Sequence, residues 1–286
     1  MQAPTITAAL QSAIAQFMPT HTSARLDAEL LLAHALGQSR SYLRAWPERL
    51  LTDQQVQVFA ILVARRVAGE PIAHILGRRE FWSLDLEVTP ATLIPRPETE
   101  LLVELALARI PVDAAWDIVD LGTGSGAIAL AVAQERPRCR VMATDVSAAA
   151  LAVAQANARR LAIGNVTFHQ GTWYAGLGQQ RFNAILSNPP YIRTDDPHLR
   201  QGDVRFDPPG ALVSGTDGLD DLRVIVAGAP THLHPGGWLL VEHGYDQGEA
   251  VRRLFVDAGL VGIHSLDDLA GHPRVCLGRM AAKEAL

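Results

Sequence analysis

Cysteine is scarce in this chain. Only Cys139 and Cys276 occur in 286 residues, each in an apolar run that reads as a strand. No metal-ligand or disulfide spacing surrounds them, so two buried, reduced thiols and no bound metal are expected. Lysine is rarer still, with Lys283 the only one, but an arginine bias follows from base composition as readily as from function. A basic excess is also missing: 25 Lys and Arg against 30 Asp and Glu leave a net charge of -5. That balance weighs against a strong nonspecific nucleic-acid binder, so no stable nucleic-acid partner is expected. No uninterrupted apolar run approaches ~18 residues, and the N-terminus lacks a basic-then-apolar leader. A cytoplasmic protein without membrane association is expected. What is present is ample apolar material, 48% hydrophobic against 19% charged residues, enough for one large domain and a smaller one.

Residues 1–75 carry helical patterns and no convincing strand. Thr22 or Ser23 is positioned to cap a helix from Ala24 to Leu36 that Gly37 ends, with Leu26, Leu30, Ala33 and Leu36 near helical spacing. A second helix is expected from about Thr52 to Ala68, with Val56, Phe59, Leu62, Val63 and Val67 on one face. Residues 76–96 read as a β-hairpin linker: Glu80–Trp82 and Leu84–Val88 form short strands about a turn at Ser83. Pro97 and the acids Glu98 and Glu100 then open a helix, where a fixed φ and negative charge are favoured.

From Trp116 onward apolar strands alternate with amphipathic helices. Strands are expected at Ile118–Leu121, Val141–Ala143, Val166–Phe168, Ala184–Leu186, Trp238–Val241, Gly262–His264 and Val275–Leu277. Helices are expected at Ala127–Gln134 and, capped by Ser147, at Ala148–Leu161. Such alternation specifies an α/β fold, Rossmann-like and doubly wound, with a mostly parallel seven-stranded sheet. Residues 97–280 form this domain, and 281–286 read as a flexible tail. Ligands of such sheets bind outside the carboxyl ends of the strands.

Two segments fall at such ends. Gly122-Thr123-Gly124-Ser125-Gly126 follows the first strand of this domain, where glycine lets the backbone turn tightly and approach a ligand. Alone it does not separate a nicotinamide dinucleotide from another nucleoside, and a glycine turn without ligand is its bland counterpart. Asp145 ends the next strand, where an acid can accept ribose hydroxyls. Asn188-Pro189-Pro190-Tyr191 follows the fourth strand. Prolines donate no backbone N–H, so this stretch offers carbonyl acceptors, the Asn188 side-chain oxygen and a flat ring. Such a socket suits a planar NH2 group, of a carboxamide or a base; a plain turn is the alternative.

Asp120 before the glycines, Asp145 and Asn188–Tyr191 together resemble class I S-adenosylmethionine-dependent methyltransferases that modify planar amino nitrogens. Within that class, Arg66-Val67-Ala68-Gly69-Glu70-Pro71-Ile72-Ala73-His74-Ile75-Leu76-Gly77 and Ile94-Pro95-Arg96-Pro97-Glu98-Thr99-Glu100 resemble the bacterial peptide-chain release factor glutamine methyltransferases, the HemK/PrmC type. So do Asp196–Leu199, Val204–Pro208 and Gly244–Ala250, and the likeness spans nearly the whole chain.

The resemblance implies S-adenosylmethionine as methyl donor, leaving S-adenosylhomocysteine, with Gly122, Thr123, Gly124, Ser125, Gly126, Asp145, Trp173 and Asn188 at the donor. It implies Asn188, Pro189 and Tyr191 as catalytic residues and Asn188, Pro189, Pro190 and Tyr191 as the substrate socket. Many relatives carry an acid before the tryptophan, where this chain has Thr172. The implied reaction methylates the side-chain amide nitrogen of the glutamine in the Gly-Gly-Gln motif of class I release factors, by a monomeric enzyme whose helical domain recognises the factor. A ribosomal-protein glutamine methyltransferase, an adenine amino-methyltransferase and a non-catalytic donor-binding module are the competing readings. Arg96 and Arg205 suit substrate orientation or surface ion pairing equally, and His243 reads as structural.

Overall fold

The protein is described as a computed structural model covering residues 3–17 and 23–282. Thr22, Lys283 and most of the proposed tail lie outside the described residues. The chain divides into two compact units, Met1–Gly77 and Arg78–Leu286.

The first unit is helical: α1 (Ile6–Phe17), α2 (Ala24–Leu36), α3 (Arg40–Ala45), α4 (Asp53–Val67) and α5 (Ile72–Leu76). Ser23 precedes α2 without capping its backbone; its hydroxyl donates to Asp27 instead, at 2.9 Å. Gly37 ends α2 in the left-handed region, at φ 62°. Thr52 and Gln55 form a reciprocal capping box on α4. Two core assignments shift. Leu26 on α2 and Val67 on α4 are exposed, and the faces turned inward are Ala28, Leu31 and Leu32, and Phe59, Leu62 and Val63. Arg66 beside Val67 takes the inward place, its Nε donating at 2.8 Å to buried Asp27. The expected face of α4 thus holds at Phe59, Leu62 and Val63, and at its end a buried ion pair takes the place expected of Val67.

The second unit opens with a hairpin, β1 (Arg78–Phe81) and β2 (Leu84–Glu87). Its two turn residues, Trp82 and Ser83, both have positive φ (52° and 58°), as a type I′ turn requires, although neither is glycine. The Glu100 carboxylate accepts the Trp82 N–H at 2.9 Å and that of Glu80 accepts the Ser83 N–H at 2.7 Å, which holds the turn. Pro97–Thr99 make a single 3-10 turn before α6 (Glu100–Leu107).

The remaining elements are β3 (Asp117–Leu121), α7 (Ala127–Glu135), β4 (Arg140–Asp145), α8 (Ala148–Arg160), β5 (Val166–Gln170), β6 (Phe182–Ser187), α9 (Asp220–His232), β7 (Leu233–Glu242), α10 (Gly248–Asp257), β8 (Val261–Asp267) and β9 (Pro273–Arg279). The seven strands β3–β9 form one sheet in the order β5-β4-β3-β6-β7-β9-β8. The first five run parallel and β9 is antiparallel to both neighbours. Cys276 lies in β9, whereas Cys139 sits in the bend before β4, and both thiols are buried.

The central strands β3 and β6 are buried almost throughout because helices cover both faces, and this explains their mostly apolar sequences, in which Asp120 and Ser187 are buried polar exceptions. Chain order reverses between β3 and β6, so a crevice opens at the carboxyl edge there. The register is exact at that edge: Leu121 lies opposite Thr144 on β4 and Ser187 on β6. The Ser187 hydroxyl donates to the Leu121 carbonyl at 2.7 Å.

Candidate active site

A cavity of ≈ 280 Å³ occupies the crevice. Gly122 and Gly124 form one wall, Asp145 and Val146 a second, Thr172 and Trp173 a third, and Asn188 and Pro190 a fourth. Pro208, Gly210 and Ala211 also line it, with Ala91–Leu93.

The glycines have separable tasks. All three have positive φ (76°, 56° and 88° for Gly122, Gly124 and Gly126). A side chain on Gly122 would meet the Trp173 ring at 3.2 Å, so the missing Cβ lets the indole lie on the loop. One on Gly124 would meet no protein atom within 4 Å and would project into open space. Gly126 packs at the start of α7, where a Cβ would lie 3.0 Å from Leu130 Cδ1 and 3.2 Å from Ala154 Cβ. Thr123 and Ser125 do not line the cavity: the Thr123 hydroxyl donates to Asp120 at 2.6 Å, and the Ser125 carbonyl accepts from Asn157 at 3.0 Å.

Asp120 itself is fully buried beneath the loop, accepting also the Ala129 N–H at 3.2 Å. Loss of water raises its carboxyl to about 7, against the opposing hydrogen bonds of Thr123 and Ala129. It shapes the loop and does not reach the cavity. Asp145 does reach it. Its Oδ2 accepts the Gly124 N–H and its Oδ1 the Ser147 N–H, each at 2.9 Å, so the carboxylate ties the loop to the start of α8. Fully buried Asn157 secures the other side, bonding both the N–H and the carbonyl of Glu87 on the hairpin as well as Ser125.

On the opposite wall the Asn188 side-chain nitrogen donates to Thr99 Oγ1 at 3.0 Å. Its Oδ1 and the Pro189 carbonyl accept no hydrogen bond among the described residues. Pro189 and Tyr191 do not line the cavity. Tyr191 turns into the core, where its hydroxyl donates to Glu242 Oε1 at 3.2 Å. Burial, and then the Glu242 charge, raise the Tyr191 phenol above its ordinary range. Glu242, fully buried at the end of β7, is itself pushed up to about 7 by desolvation, with Thr99, Arg274 and Tyr191 opposing the shift. Its Oε2 has no hydrogen-bond partner of good geometry. Buried Gln247 grips the next carbonyl, donating to Tyr191 O at 2.9 Å and to Gly218 O at 3.2 Å.

Arg96 is ion-paired with the buried Asp207 carboxylate, which also accepts the Ile94 N–H at 3.1 Å, so it braces the segment before Pro208. Arg205 lies over the Phe206 ring, 4.9 Å from its centroid. His243 is fully buried, with its ring on the Gly244 carbonyl. Thr99, Glu242, Gln247 and Asp207 are the site-forming residues that sequence reasoning did not single out. Thr99, Asp207 and Gln247 were signalled by membership of runs that carried the family resemblance, and Glu242 by nothing in its surroundings.

The cavity fits an adenosyl sulfonium: an acid at the second strand end, a glycine with open space in place of a side chain, and an indole against the loop. Fold and site together define an S-adenosylmethionine-dependent methyltransferase of the seven-stranded class. A methyltransferase from Pyrococcus furiosus has the same fold, with a TM-score of 0.54 over 77% of this chain and 98% of that one at 19% identity. Residues 8–77 match the PrmC N-terminal domain, and residues 98–201 match the methyltransferase small domain. The release factor glutamine methyltransferase of Pseudomonas aeruginosa is 56% identical, over 92% of this chain and 95% of its own length. That of Escherichia coli is 51% identical, over 94% and 97%. This chain belongs to the release factor glutamine methyltransferase family.

Proposed function

We propose that the protein methylates the side-chain amide nitrogen of the glutamine in the Gly-Gly-Gln motif of class I peptide-chain release factors, in the cytoplasm. The observation that carries the chemistry is a pair of unengaged acceptors, Asn188 Oδ1 on the cavity's fourth wall and the carbonyl of Pro189, the next residue in the chain.

Gly122, Gly124, Asp145 and Trp173 hold S-adenosylmethionine, with Thr123, Ser125 and Gly126 shaping the loop beneath it. The donor supplies an electrophilic methyl group on a sulfonium. A carboxamide nitrogen is a poor nucleophile because its lone pair is delocalised into the carbonyl. Asn188 Oδ1 and the Pro189 carbonyl each accept one amide N–H, which fixes the plane of the amide and stabilises positive charge building on nitrogen. Pro190 supplies the adjoining wall, and Tyr191 anchors the segment through its hydroxyl. No side chain is assigned as a base, because an amide nitrogen that takes a fourth bond is strongly acidic and loses its proton to water. Positioning therefore carries most of the acceleration. The helical unit Met1–Gly77 is assigned to gripping the body of the factor, which would make short Gly-Gly-Gln peptides poor substrates.

Asn188→Ala should leave S-adenosylmethionine affinity nearly unchanged and cut turnover by about 10²-fold or more, the scale of one lost preorganised contact. Wild-type turnover in this variant would sink the socket. Release factor, ribosomal protein and duplex DNA offered in parallel with labelled donor decide the acceptor. Label on either of the latter two and none on the factor would overturn the assignment.

A further inference from the structure

The Asn188 carboxamide can face its neighbours in two ways, and only one of them turns an acceptor toward the target nitrogen. We propose that Thr99 is a positioning residue that sets this facing, and that buried Glu242 gives the Thr99 hydroxyl its direction. The inference rests on the reading that Asn188 Oδ1 accepts a target N–H.

The argument is one of donor and acceptor inventory. Thr99 is buried, 4% exposed, and its Oγ1 receives the Asn188 NH2 at 3.0 Å. Having accepted there, the hydroxyl has one hydrogen to place. The fully buried Glu242 carboxylate is the group it bears upon. In its ionised form that carboxylate only accepts. Thr99 must then donate toward Glu242 and accept from Asn188, so the Asn188 NH2 points to Thr99 and Oδ1 points away. The same carboxyl group receives the Tyr191 hydroxyl at 3.2 Å, so the residue after the two prolines is anchored on it directly, while Asn188 before them is held by Thr99. The charge of Arg274, from β9, favours the ionised form. Segments far apart in sequence meet here: the turn before α6, the end of β6, and the end of β7.

The test compares Thr99→Val, which keeps the shape and removes the hydroxyl, with Thr99→Ser, which keeps the hydroxyl, and with Glu242→Gln, which can donate as well as accept. Thermal melts establish folding, calorimetry measures S-adenosylmethionine affinity, and single-turnover methylation of release factor measures the rate. Thr99→Val and Glu242→Gln should bind donor within about 2-fold of wild type yet lose about 10- to 10²-fold in rate, the scale of a misplaced reacting group. Thr99→Ser should recover most of that rate. A folded Thr99→Val with wild-type rate would overturn the proposal, as would Thr99→Ser being as impaired as Thr99→Val, since the position would then act by packing. If Thr99→Val fails to fold, Glu242→Gln decides in the same way. A wild-type rate for Asn188→Ala would instead remove the underlying reading, whereas an inactive Asn188→Ala beside an unimpaired Thr99→Val would remove the relay alone.

Discussion

Asp145→Asn is a sharper probe of the donor site than truncation to alanine. The wild-type carboxylate accepts two backbone N–H groups, from Gly124 and Ser147, one on each oxygen at 2.9 Å. Each oxygen has a second lone pair for a ligand hydroxyl. An asparagine at this position has one acceptor and one NH2. Whichever way it faces, the NH2 meets a backbone N–H, donor against donor, so at least one bond is lost and the side chain must rotate away. Hydrogen bonds to charged groups contribute about 1.5–3 kcal/mol each, and partial exposure of Asp145 places these near the lower end. Asp145→Asn should therefore lose about 1–2 kcal/mol of stability, much like Asp145→Ala. Its affinity for S-adenosylhomocysteine should fall about 10-fold or more, since 1.4 kcal/mol is a factor of ten. Paired denaturant melts and calorimetric titrations measure both quantities. Affinity in the asparagine variant within about 2-fold of wild type would refute the claim that the two backbone bonds organise the loop for ligand.

Gly126→Ala forces a Cβ to 3.0 Å from Leu130 and a non-glycine residue to φ 88°, so a loss of about 1–3 kcal/mol is expected in urea unfolding. Asn157→Ala strips partners from Glu87 and Ser125 in a fully buried setting and should cost about 2–4 kcal/mol, with faster amide exchange at Glu87 as the local signature. Asp120 and Glu242 carry carboxyls raised to about 7, so the folded state binds protons that the unfolded state has released. Their contribution to stability is full below about 4, the unfolded value, and is lost as pH rises through about 7. Melting temperatures between pH 5 and 8 should show this fall, shallower in Glu242→Gln; an identical slope in that variant would contradict it.

The parts of the fold that were legible in the sequence are those where one physical demand dominates. β3 and β6 are buried on both faces and read as short, mostly apolar runs; Gly37 ends α2 and Ser147 caps the start of α8, as their residue types predict. α3 and α5, at six and five residues, are too short to show a period. The inward face of α4 was legible at Phe59, Leu62 and Val63 but not at Arg66, whose partner Asp27 lies 39 residues away where no local pattern reveals it. The site divides the same way. Gly122, Gly124, Asp145, Asn188 and Pro190 lie in contiguous runs at strand ends and come together at the cavity. What orients them does not lie nearby: Thr99 stands 89 residues from Asn188, and Glu242 stands 51 from Tyr191.

The register of the central strands also acts as a ruler. Thr144, Leu121 and Ser187 share one rung, so the residues that follow them stand side by side: Asp145 as the last residue of β4, Gly122 and Asn188 just beyond β3 and β6. Neighbouring strands lie about 4.8 Å apart, so Asp145 and Asn188 stand about two spacings, or ~10 Å, from each other across β3. That interval is set by backbone hydrogen bonding and does not change with the side chains that decorate it. A ligand anchored at Asp145 must have its reactive atom about that far along its own length to be presented at Asn188. Length is thereby selected before any functional group is read, and a slip of one residue in β6 would spoil the measure and turn Asn188 to the wrong face of the sheet.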